Sequence, residues 1–151
     1  MNRTRHNREL TEEERSTVMA DLKQAERFLE LLAQEKAATP PGPAALREAL
    51  SLAAVVSYWR PFASGRPSGG KWLSKDVIST PELRQFHTEL DVLRNKVWAH
   101  TTGKSHQRAK GNREIWTSLA RVVIPKFCDL IHEVKSSVAG HDQSQNERTA
   151  F

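Results

Sequence analysis

A single cysteine, Cys128, stands among the 151 residues of the chain. One thiol builds neither an intrachain disulfide nor a cysteine-rich zinc site, so both are excluded as sources of stability. Set beside Phe127, Leu130 and Ile131, Cys128 reads as a small core hydrophobe, in keeping with a reducing, cytoplasmic setting. Long apolar runs are missing as well. The opening MNRTRHNREL carries charge without an apolar core, and no later stretch approaches the roughly 18 continuous apolar residues of a membrane span, so the sequence supports neither secretion nor a membrane partner. The strict apolar–polar alternation of a half-buried strand is absent, as are internal repeats. No His-x3-His spacing occurs, and neither a metal nor any other cofactor is expected.

What is present is basic charge. The formal net charge is +5, and 14 arginines outnumber 9 lysines. The planar guanidinium fork grips phosphate through two hydrogen bonds, which suits an anionic partner, although the same balance also fits a merely soluble surface. At 17.1 kDa the chain is large enough for one domain with one core.

Residues 1–10 are basic and unpatterned and are expected to be a disordered arm. Thr11 then opens T-E-E-E, a helix cap followed by acidic residues in the positive first turn. Val18, Leu22, Ala25, Leu29 and Leu32 recur at spacings of four and three and predict a first helix ending near Ala38. Thr39-Pro40-Pro41-Gly42-Pro43 is a connector, because proline removes the donor a helix needs. From Ala44, AALREALSLAAVVSYW predicts a second helix, the most buried of the four, ending near Trp59 since Pro61 disfavours helical geometry at Arg60. Residues 61–79 form the longest internal loop, with a short turn expected within Lys71 to Val77. Thr80-Pro81-Glu82 starts a third helix, with Leu83, Phe86, Leu90, Leu93 and Val97 inward, stopped by Thr101-Thr102-Gly103. A fourth begins near Asn112, buries Ile115, Leu119, Val122, Val123, Phe127, Leu130, Ile131 and Val134, and kinks at Pro125. The expected organisation is an all-α, up-and-down four-helix bundle over residues 11–138, followed by a disordered tail over 139–151.

Near the end of the third helix lies Leu93-Arg94-Asn95-Lys96-Val97-Trp98-Ala99-His100. In a straight α-helix Arg94 and His100 are about 120° apart around the axis and about 9 Å apart along it. A site shared by both needs either unwinding near Ala99 to Gly103 or a second copy of the helix, which a two-fold dimer supplies.

An arginine, an adjacent polar residue and a histidine a few positions on, here Arg94, Asn95 and His100, resemble the motif of the HEPN superfamily (higher eukaryotes and prokaryotes nucleotide-binding domain). LDVL upstream and Ala99 before the histidine are most similar to its prokaryotic branch of phage-abortive-infection proteins, and SYWRPFASG is similar to a second, weaker signature of that branch. The likeness covers roughly residues 46–105. It implies a homodimeric helical bundle that cleaves RNA without a metal, as part of a toxin–antitoxin or phage-defence system with a partner protein, or else a catalytically silent module that binds RNA, a nucleotide or a protein.

The chemistry of these residues is compatible with that implication. RNA carries its own 2′-hydroxyl nucleophile, so cleavage needs a base, an acid and positive charge for the crowded phosphorane. His100 suits either proton role, Arg94 suits the charge, and Asn95 either orients the histidine, binds a phosphate oxygen or is a solvated helix residue. Around these catalytic candidates, four residues are candidates for RNA contact. Lys96 is either solvated or lies along the backbone. Arg60 either pairs at the surface or assists the phosphate, and Tyr58 either packs or joins it. Trp72, in the polar loop, is the best platform for an unpaired base. His87 is expected at the bundle edge, and Trp59, Trp98 and Trp116 in the core or an interface.

Overall fold

The computed structural model describes residues 9–63, 72–102 and 124–146, with residues 96–102 and 141–146 described by their backbone alone. Among them are four α-helices and no strand: α1 (Glu12–Ala37), α2 (Ala44–Trp59), α3 (Pro81–Thr102) and α4 (Ile124–Asn146). Helix α1 starts in a reciprocal capping box, in which the Thr11 hydroxyl accepts from the Glu14 amide at 3.1 Å and the Glu14 carboxylate accepts from the Thr11 amide at 3.0 Å. Its stripe of Val18, Leu22, Ala25, Leu29 and Leu32 is buried throughout. The short connector folds α2 back on α1, which also packs against α4, while α3 touches both α2 and α4. The helices thus form an all-α bundle closed in sequence order. Phe86 and Leu90 of α3 and Phe127, Leu130, Ile131, Val134 and Val138 of α4 complete its core. Lys135 of α4 bonds Glu26 of α1 at 2.9 Å across that closure.

Several expectations need correction. Arg60 keeps right-handed helical angles, and the chain tightens into a 3₁₀ turn over Arg60–Phe62. Burial of Pro61 and Phe62 in the core overrides the local bias of a residue before proline. The following loop is anchored at its far end. Trp72 and Leu73 amides donate to the Pro61 carbonyl at 3.1 and 2.9 Å, a second 3₁₀ turn spans Lys75–Val77, and Leu73 and Ile78 enter the core. Helix α2 is buried mainly in its C-terminal half, while Leu46 and Val56 are exposed.

Pro125 is the second residue of α4 as described, where a missing amide proton leaves no intrahelical bond unmade, and the segment before Ile124 on which the expected kink depends lies outside the described residues. Helix α4 continues to Asn146, eight residues into the expected tail, carried on from the buried turn at Val138. Leu10, assigned to the disordered arm, packs against the core. Cys128 is exposed, not buried, since Phe127, Leu130, Ile131 and Val134 already occupy the inward face of α4. Residues 1–8 of the basic arm, the start predicted for the fourth helix at Asn112, its residues Ile115, Leu119, Val122 and Val123, Trp116, and the last five residues lie outside the described residues.

Candidate functional site

The described part of the site is built on one face of α3 and the last turn of α2. His87 and Arg94 are seven residues apart, so they return to nearly the same face two turns on. Trp59, the last residue of α2, comes to that face. Its ring lies 4.4 Å from the His87 imidazole, and the Arg94 guanidinium carbon is 4.9 Å from its centroid. That is cation–π range.

Arg94 is further held in its own helix. Its Nη2 donates to Asp91 Oδ1 at 3.2 Å and, at a longer 3.4 Å, to Asn95 Oδ1. Asn95 also leans toward Asp91 Oδ1, at 3.5 Å. The Arg94 side chain retains 32% exposure, so the guanidinium is partly enclosed while still open to solvent. Its Nε finds no acceptor among the described residues.

Behind this face the aromatic core fixes the imidazole. Tyr58 is fully enclosed, and its hydroxyl lies 2.7 Å from His87 Nδ1. Burial, reinforced by the Glu133 charge, pushes the Tyr58 hydroxyl far above its ordinary range, so it holds its proton and can donate to that nitrogen. Phe62 and Phe127 close around the same phenol ring.

The entry of α3 is clamped from the opposite end of the sequence. Glu133 Oε1 accepts from the Ser79 amide and hydroxyl at 3.1 and 2.6 Å and from the Thr80 amide and hydroxyl at 3.0 and 3.1 Å. Burial by itself raises the Glu133 carboxyl, but these hydrogen bonds outweigh it and hold the group below its usual value. The Thr80 hydroxyl, read from sequence as a simple helix cap, is turned toward this carboxylate.

Arg94 and Asn95 are thus together beside Asp91. His100 lies further along α3, whose backbone stays helical to Thr102, and the side chains of Lys96, Trp98 and His100 lie outside the described ones. Tyr58, a candidate for RNA contact, is corrected to a core residue, since it offers no surface. Arg60 points to α1, where it bonds Asp21 at 3.3 Å and Gln24 at 3.1 Å, and so realises the surface pair. Trp72 is half-buried against the core instead of standing free as a stacking platform. His87, expected at the edge, is 4% exposed. Reasoning from sequence missed the roles of Asp91, Trp59 and Glu133. Only Asp91 carried a usable signal, an acid three residues before an arginine on a helix.

Among the described residues no group of three or more His, Cys, Asp or Glu side chains is placed to hold a metal ion, and no helix is long and apolar enough to cross a membrane. Compared with family models, curated proteins and solved structures, the chain matches none.

Proposed function

We propose that the protein is a homodimeric endoribonuclease of HEPN type, in which Arg94 and His100 of two copies line one cleft and cut RNA without a metal. The observation that carries this reading is the held guanidinium of Arg94, its carbon over the ring of Trp59 and flanked by Asn95, on a helix whose backbone runs unbroken past His100. An unbroken helix leaves Arg94 and His100 about 120° apart. One copy therefore cannot aim both at the same phosphate, and a two-fold axis can.

In the reaction, an imidazole removes the 2′-hydroxyl proton as the oxygen attacks phosphorus, and an imidazolium protonates the departing 5′-oxygen. Arg94 neutralises the charge growing on the non-bridging oxygens. The products carry 2′,3′-cyclic phosphate and 5′-hydroxyl ends. Asn95 orients the phosphate or the histidine, and Lys96 lies along the RNA backbone. The setting is the cytoplasm, with a partner protein such as an antitoxin restraining the activity. The test is RNA cleavage in excess chelator, which His100→Ala is expected to abolish with helicity intact.

A second reading, a catalytically silent module that binds RNA, a nucleotide or a protein partner, is favoured by the Asp91–Arg94 ion pair, which offsets the charge a phosphorane would need. Tight, salt-sensitive RNA binding without turnover is its signature.

A further inference from the structure

The indole of Trp59 is oddly placed for a residue that merely fills space. It is 7% exposed, yet its Nε1–H finds no acceptor among the described residues, although a buried indole usually bonds that proton. Its ring meets the core rings of Phe62 and Tyr58, at 5.6 and 6.1 Å between centroids, and besides them an imidazole and a guanidinium. The Cα atoms of His87 and Arg94 are about 10 Å apart along α3. The indole, 4.4 Å from the imidazole and 4.9 Å from the guanidinium carbon, fills that interval. The imidazole is itself fixed by Tyr58 at 2.7 Å, and Tyr58 is locked by Phe62 and Phe127. A continuous strut therefore runs from the aromatic centre of the bundle through Tyr58, His87 and Trp59 to Arg94.

We propose that Trp59 is a positioning residue, whose ring face sets the plane of the Arg94 guanidinium so that its edge, not its face, meets an incoming phosphate. Arg94 has few other restraints. Its Nη2 bonds to Asp91 and Asn95 at 3.2 and 3.4 Å are long and come from flexible side chains of the same helix. A guanidinium binds phosphate through in-plane N–H groups, and an aromatic face beneath it leaves that plane's edge available. The inference rests on the nuclease reading for its consequence, though not for its geometry.

The test replaces the indole at position 59 alone with mono-, di- and trifluorinated indoles. These keep the ring's shape and progressively weaken its negative face. The Arg94 Nε–H signal, identified as the one lost in Arg94→Lys, is expected to sit upfield in the wild type through the ring current and to move stepwise toward the position of free arginine. The kcat for RNA cleavage in chelator is expected to fall about two- to fivefold across the series with little change in KM. A purely packing role predicts a fixed Arg94 signal, and that result overturns the proposal. A moving signal with unchanged kcat overturns the catalytic consequence. If the wild type leaves RNA intact, the nuclease reading fails, and the arginine signal still decides whether Trp59 holds Arg94.

Discussion

Glu133 is the best place to test how the bundle presents α3, because one carboxylate oxygen there receives four donors from the two residues preceding the helix. Glu133→Ala removes all four bonds at once. Water can replace the two from Ser79, which are exposed, whereas the two from Thr80 are partly buried. Counting chiefly the Thr80 pair, at the lower end of the range for bonds to a charged acceptor, the loss is about 3 kcal/mol. With a denaturant slope typical of small domains, the urea midpoint should fall by about 1–2 M. Glu133→Gln keeps an acceptor and loses the charge, so it should fall roughly half as far. The pH dependence gives a second reading. The folded carboxyl titrates below its unfolded value, so its contribution is complete above about pH 4.3 and is lost as pH falls through the folded value. Wild type should therefore lose stability with acid more steeply than Glu133→Gln, and the gap between them should narrow as the pH falls through the lowered folded value. A midpoint shift under about 0.2 M for Glu133→Ala, or a gap that ignores pH, would refute the clamp.

Three further outcomes are expected. Tyr58→Phe removes the buried bond to His87 and should cost about 1–3 kcal/mol in thermal or urea unfolding, and an unchanged midpoint would contradict the strut. Cys128 should react with a thiol reagent in the folded protein, because it is exposed. Burial of the sulfur, then Glu26, Asp129 and Glu30, push the thiol upward, so the rate at neutral pH should be slower than for a free thiol and climb into the alkaline range. Reaction only after unfolding would return Cys128 to the core. Asp91→Asn releases Arg94 from its ion pair and should tighten RNA binding while steepening its salt dependence by roughly one counterion, whereas unchanged affinity would show that the pair does not compete with phosphate.

Helix positions were legible wherever a face repeats. The stripe from Val18 to Leu32, the cap at Thr11 and the Thr80-Pro81 start are local patterns, and each element formed where its pattern placed it. Cys128 shows the limit of reading residue type ahead of phase. Its apolar neighbours take the inward stripe of α4 and leave the thiol outside. Arg60 shows tertiary burial overriding a local backbone preference. The site was legible only as a motif on one helix. The ring beneath Arg94 comes from α2 and the carboxylate over the start of α3 from α4, pairings between distant residues that no periodicity encodes. His87 was misplaced for the same reason, since its partner Tyr58 belongs to another helix.

The most direct test of the nuclease proposal is incubation of the purified protein with RNA in excess chelator, with His100→Ala and Arg94→Ala beside the wild type. Fragments ending in 2′,3′-cyclic phosphate are expected from the wild type alone, with all three proteins equally helical. Cleavage that persists in His100→Ala, or that appears only when a divalent metal is restored, would contradict it.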